Sequence, residues 1–345
     1  MKRNHLEIAW MNNLRALATL SVIVLHVAFP ILYNYGTIKV NDWQIGNFFD
    51  SLVRFCVPIF LMLTGALLLS KPIEIESFFK KRFLRILLPF LFWSSIYVVY
   101  SLALKYNIET DLSLLECVKF VYLQFKDGAS YHLWYVYMII GIYLFLPILN
   151  KWILNSSEKE IRCFIVFWFF VMFLKHPYLS RFIPNIDLTY FSGFIGYPVL
   201  GYYLAYKFNS QKTVKLSILL FIVGFGFTMI ATVLKTMQQG VFYQAFYDYL
   251  SPNVIIEAIG VFLFFKSYSF QKTKLQLVVN TVSKHSYGIY LSHVLMLSFL
   301  DSLDLNYSIT NPIIAIPLIS ILCIIMSLIV TFLINKIPYG HLISG

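Results

Sequence analysis

The stretch N-N-L-R-A-L-A-T-L-S-V-I-V-L-H, Asn12 to His26, sets two ionisable side chains in an otherwise apolar run. Arg15 and His26 are eleven residues apart. On a helix that is close to three turns, so both point the same way about 16 Å apart along the axis. Taken alone, Arg15 reads as an interfacial anchor whose head reaches water or as a functional cation. An imidazole as deep as His26 normally faces a polar cavity or a partner, which makes it a candidate for chemistry. A second polar stripe lies in S-Y-G-I-Y-L-S-H, where Ser286, Tyr290 and His293 share a helix face at spacings of four and three. It places another histidine at about the depth of His26, and it serves equally well as hydrogen-bonding glue between helices.

Three further groups carry possible chemistry. In K-K-R-F-L-R-I-L-L-P, Arg82 and Arg85 are three residues apart beside Lys81 and can clamp a phosphate together; by spacing alone they are ordinary basic decoration at a membrane face. In Y-H-L-W-Y, His132 lines a pocket mouth or merely accompanies Trp134 and Tyr135, residues that membrane interfaces favour. Glu257 is the one carboxylate well inside a predicted span, so it is expected to face a cavity or pair with a cation, and a structural ion pair serves as well as a functional role.

The elements that must position these residues are membrane helices. Of 345 residues, 59% are hydrophobic and 12% charged, against about 25% charged in soluble domains. Apolar windows near 20 residues long read as spans. Ten are predicted: 11–33, 48–70, 83–104, 133–154, 161–175, 187–206, 214–235, 252–268, 285–303 and 312–335. The runs are continuous rather than alternating, which argues against a β-barrel. The fold class is therefore all-α, a polytopic transmembrane helix bundle of about ten helices, with residues 1–345 as a single domain and no internal repeat. With the N-terminus inside, 18 lysines and arginines fall on the cytoplasmic side and 8 outside, Arg15 completing the 27, so both termini are predicted cytoplasmic. The net charge of +11 sits mostly at helix ends and does not imply nucleic acid. The first segment is read as a retained helix rather than a signal peptide, since it holds Arg15 and His26 and lacks a cleavage pattern. Cys56, Cys117, Cys163 and Cys323 show no zinc or disulfide spacing and are expected free, and no ligand set argues for a metal.

Taken in order, N-L-R-A-L-A with the Arg15 to His26 spacing, V-P-I-F-L-M-L-T-G (Val57 to Gly65), K-R-F-L-R-I-L-L-P (Lys81 to Pro89), H-L-W-Y (His132 to Tyr135) and S-Y-G-I-Y-L-S-H (Ser286 to His293) resemble the acyltransferase family 3 membrane proteins. Thr64 departs from the serine usual before that glycine, and a fused periplasmic hydrolase-like domain, present in some relatives, has no counterpart in the chain.

The resemblance implies an O-acyltransferase of the bacterial cytoplasmic membrane. Its donor would be cytoplasmic acetyl-coenzyme A or another acyl-coenzyme A, and its acceptor a hydroxyl of a cell-surface or lipid-linked saccharide. Arg15 and His26 would be the catalytic pair, His26 acting as general base or as a transient nucleophile. Arg82, Arg85 and Lys81 would hold the donor. His132, Trp134, Tyr135, Tyr290, His293 and Glu257 would orient His26, bind the acceptor or stabilise the oxyanion. A transporter or flippase of a lipid-linked saccharide, with His26, Glu257 and His293 as a proton relay, is the rival reading.

Overall fold

The computed structural model describes residues 5–108, 113–181, 193–209, 213–268 and 275–345. Lys2, Arg3, Lys212, Lys272 and Lys274, used in the charge count above, lie outside them, as does the 187–192 part of the sixth predicted span. Fourteen α-helices and no strand occur among the described residues. The first half holds α1 (His5–Tyr33), α2 (Val40–Leu52), α3 (Cys56–Leu68), α4 (Ile75–Ile108), α5 (Leu114–Asp127), α6 (Trp134–Asn155) and α7 (Glu158–Lys175). The second holds α8 (Pro177–Ser180), α9 (Gly196–Tyr206), α10 (Thr213–Gln239), α11 (Pro252–Ser267), α12 (Gln276–Lys284), α13 (Ser286–Asp301) and α14 (Pro312–Lys336).

Local chemistry sets several helix starts. Ser113 and Ser157 each form a capping box with the glutamate three residues on, Glu116 and Glu160, satisfying backbone donors at the starts of α5 and α7. The Asn311 side chain caps α14 at 3.0 Å from the Ile313 amide, with Pro312 at the first helical position, where its missing N–H costs nothing.

Seven helical stretches are long and apolar enough to cross a membrane among the described residues: Ala9–Tyr33, Val40–Leu68, Ile75–Leu104, Leu114–Asn155, Thr213–Gln239, Ala245–Ser267 and Pro312–Lys336. The expected spans 161–175 and 285–303 correspond to α7 and α13, of 18 and 16 residues, which fall short of that standard. The expected span 48–70 overlaps the Val40–Leu68 stretch, which is two helices rather than one because the chain turns at Val53, Arg54 and Phe55 between α2 and α3.

α10 shows why lipid is the surrounding solvent. Its buried positions include Ser217, Gly224, Thr228, Thr232 and Thr236, while Leu219, Ile222, Phe227, Ile230 and Leu234 are exposed. Small and polar residues face the protein, and large apolar ones face outward. That is the reverse of a soluble helix, and it lets backbones approach closely where lipid removes the usual hydrophobic drive. The hydroxyl of Thr228 donates to the Gly224 carbonyl at 2.7 Å, so this inward hydroxyl is satisfied within its own helix.

α1 packs against α2, α3, α11, α12, α13 and α14, which makes it the axis of the bundle. Beside it, α3 and α9 meet backbone to backbone: a Cβ added at Gly65 would lie 1.8 Å from the Pro198 carbonyl oxygen, and one added at Gly201 2.0 Å from that of Met62. Gly65, Gly196 and Gly201 are close-packing sites. Gly141 faces open space, and Gly193, at φ +96°, is instead a turn residue in the left-handed region.

Gly201→Ala is expected to lower stability by about 3 kcal/mol through that clash. Gly141→Ala, on an open helix face, should raise it by roughly 0.5–1 kcal/mol. Thermal unfolding of both variants in detergent checks the pair, and equal melting temperatures would contradict the α3–α9 contact.

Candidate active site

His26 meets a cluster of rings contributed by two other parts of the chain. The His293 ring on α13 lies 5.1 Å from it between centroids, and the Tyr131 ring 5.3 Å. The His132 ring is in turn 5.0 Å from His293. His293 is wholly buried. Its Nδ1 is 2.6 Å from the Tyr290 carbonyl oxygen, which can only accept, so Nδ1 carries the proton and a neutral His293 keeps its lone pair on Nε2. The hydroxyl of Tyr290 donates to the His132 carbonyl oxygen, tying α13 to the 3-10 turn Tyr131–Leu133 that opens α6. Ser130 Oγ lies 3.0 Å from Nδ1 of His132. The Arg15–His26 face of α1 and the Ser286–His293 stripe of α13 thus meet side by side.

A cavity of about 110 Å³ opens at His26. Its walls include Val22 and Leu25 from α1, Cys56, Val57 and Phe60 from α3, and His132, Trp134 and Tyr135 from the start of α6. Tyr249, Ser286, Tyr287 and Tyr290 complete it. A second cavity, about 290 Å³, abuts it and contains Arg15, Arg82, Arg85 and Lys284, together with Thr64 and Tyr143. Phe60, Tyr135, Ser286 and Tyr287 line both, so the basic chamber and the cavity at the imidazole lie side by side with a shared wall. Tyr131, against His26, is 63% exposed and Trp134 39%, and Trp134 stacks on Tyr249 at 5.8 Å. The His26 cavity is therefore bordered by aromatic rings, and the cationic groups line the chamber beside it.

A family model described as an acyltransferase domain, that of acyltransferase family 3, matches residues 8–336, nearly the whole chain. The chain belongs to that family. Comparison with curated proteins and with solved structures returned no match. Acyltransferase family 3 membership and the long apolar helices together make the chain a multi-pass membrane acyltransferase.

Within this family 3 chain, Arg15, Arg82 and Arg85 gather at one cavity and His26, His132, Trp134, Tyr135 and Tyr290 at the other. Lys81 is exposed and lines neither. His293 touches His26 from behind the cavity wall. Glu257 is wholly buried on α11 and lines neither cavity.

Sequence reasoning missed Phe60, Tyr143, Tyr249 and Lys284, whose approach to the site depends on tertiary packing alone. Arg54, one of the 8 basic residues expected outside, is instead 5% exposed and pairs with the wholly buried Asp50. The guanidinium sits over the Tyr247 ring at 4.2 Å and donates to the Tyr247 carbonyl at 3.2 Å. The four-residue spacing of Asp50 and Arg54 was the available signal.

Asp50→Ala strands that guanidinium in an apolar setting and is expected to cost about 3–5 kcal/mol. The double variant Asp50→Leu/Arg54→Met should recover most of the loss, and thermal unfolding of the two variants measures the difference.

Proposed function

We propose that the protein is an O-acyltransferase of the bacterial cytoplasmic membrane that moves an acyl group from acyl-coenzyme A, supplied on the cytoplasmic side, to a hydroxyl of a cell-surface or lipid-linked saccharide. The carrying observation is the wall shared by the two cavities, which sets a cluster of arginines on one side of it and a histidine on the other. The donor's phosphates sit against Arg82 and Arg85, three residues apart on α4, with Arg15 facing them from α1. The pantetheine arm threads past Phe60, Tyr135 and Tyr287 and brings the thioester to His26. The acceptor sugar arrives over Tyr131 and Trp134, whose exposed faces suit a sugar ring.

In the reaction, His26 takes the proton from the acceptor hydroxyl as that oxygen forms its bond to the acyl carbon. The carbon–sulfur bond then breaks, and the imidazolium returns the proton to the leaving thiolate, so coenzyme A departs as the thiol. Arginine suits the donor end because its planar fork meets phosphate oxygens in pairs and stays charged throughout. Tyr290 holds the His132 backbone, and His293 supports the face of His26 away from the cavity. The transporter reading needs a relay through His26, Glu257 and His293. Of these only His26 opens onto either cavity, which favours the enzyme.

Purified protein incubated with radiolabelled acetyl-coenzyme A and a mixture of envelope and lipid-linked saccharides tests the proposal. Wild type should label the saccharide, and His26→Ala should lower the rate by at least about 100-fold. Equal rates would remove His26 from the chemistry. Label-free saccharide together with passage of a lipid-linked sugar across vesicles would favour transport instead.

Arg82→Gln and Arg85→Gln should each raise the donor KM about tenfold or more, the worth of a charged hydrogen bond, and leave the acceptor KM unchanged. Initial rates at varied donor and acceptor concentrations separate the two, and an unaltered donor KM would mean the arginines do not hold it.

A further inference from the structure

Beyond α14 the chain doubles back on the bundle. Tyr339 takes a left-handed conformation at φ +62°, and the 3-10 turn Gly340–Leu342 follows. A Cβ added at Gly340 would lie 1.7 Å from the Ile334 carbonyl oxygen, so the turn sits directly on the α14 backbone. The Ser344 amide donates to the Gly340 carbonyl at 2.9 Å, and its hydroxyl donates to the Asn335 side-chain oxygen at 3.0 Å. Ser344 is 1% exposed. Irregular segments usually run loosely over the surface; this one is pinned, with its inner face buried.

Its far side reaches the basic chamber. A Cβ added at Gly288 would lie 2.5 Å from the Ser344 carbonyl oxygen, and one added at Gly345 2.6 Å from the Gly288 nitrogen. Gly345 therefore touches the first turn of α13 backbone to backbone, and it lines the chamber that contains Arg15, Arg82, Arg85 and Lys284. The 3-10 turn also packs on α4, the helix of the arginine pair. Residues 337–345 lie past the 8–336 stretch that the family model matches, so family membership assigns them no role.

We infer that the segment Gly340–Gly345 is a wall of the donor site, closing the basic chamber against α13 and bounding the space that acyl-coenzyme A fills. The inference rests on the acyl-transfer reading and deepens it. The wall is uncharged and has no side chain at Gly345, so it bounds the donor by shape while Arg82 and Arg85 hold its phosphates. Two backbones in contact leave nothing between strap and helix to compress. A bulkier residue at 345 must push off Gly288, and it either enters the chamber or draws the wall away from it. Gly345 does not line the His26 cavity, so the change falls on the donor rather than on the acceptor.

Gly345→Ala and Gly345→Val in the full chain test this, by calorimetry with unacylated coenzyme A and by initial rates with acetyl-coenzyme A and the saccharide mixture above. Gly345→Val should raise the coenzyme A Kd and the donor KM about tenfold or more, and Gly345→Ala less, with kcat and the acceptor KM unchanged. Ser344→Ala, which loses only the bond to Asn335, should raise the same two constants about fivefold. His341→Ala, on the exposed side of the turn, should leave them at the wild-type values. Melting temperatures in detergent identify the folded variants, and Ser344→Ala keeps the test open if valine prevents folding. If folded Gly345 and Ser344 variants bind coenzyme A as wild type does, or lose kcat and both KM values together, the wall assignment is overturned and acyl transfer stands. If wild type binds coenzyme A but moves no acyl group from acetyl-coenzyme A, the acyl-transfer reading falls and the affinities alone decide the wall. If it neither binds coenzyme A nor moves an acyl group, both fall.

Discussion

An imidazole or a guanidinium persists on an apolar helix only where protein or a polar cavity, rather than lipid, surrounds it. The position of α1 meets that constraint. Six helices pack around it, so its polar face is turned inward along its length. Arg15 opens into one chamber and His26 into the next. Everything else at the site is arranged with respect to that face: α3 supplies the apolar side, α13 the second histidine, the turn before α6 the third, and α4 the arginine pair.

The same solvent governs the periphery. α10 keeps glycine, serine and threonine inward and large apolar side chains outward, so helix contacts are made through close backbones and short hydroxyl bonds instead of a greasy seam. Glu257, expected to face a cavity or pair with a cation, is wholly buried with neither a site cavity nor an ion-pair partner among the described residues, whereas the charges at the α2–α3 corner are paired. Asp50 and Arg54 hold each other at the α2–α3 corner, and Tyr247 braces the guanidinium from above and through its carbonyl. A buried pair of this kind is a poor source of net stability, and its worth lies in fixing the angle at which α3 leaves the corner. That angle places Cys56 and Val57.

Much of this was legible in the sequence, for identifiable reasons. Helical periodicity fixes Arg15 relative to His26, and Ser286 relative to Tyr290 and His293, because those pairs lie on one element each. Their order along the chain, with the Lys81–Pro89 and His132–Tyr135 fragments, carried the family resemblance that the match over residues 8–336 shows. What sequence spacing does not encode is which faces meet. Phe60 and Tyr249 reach the cavity from positions far from His26 in the chain, and Lys284 joins the basic chamber from α12. The corner at Val53–Phe55 was also hidden, since its residues are as apolar as the flanking helices apart from Arg54, and a hydropathy window runs straight across it.

The glycine contact between α3 and α9 has a mechanical consequence. Two backbones already touching have no side chain to compress, so the Phe60 side of the shared wall is stiff. α4 instead lies at the margin, packed on α5, α6 and α13, and contributes Arg82 and Arg85 from there. Any breathing needed to admit the proposed coenzyme A donor falls to that margin, which makes α3 the anvil and α4 the jaw.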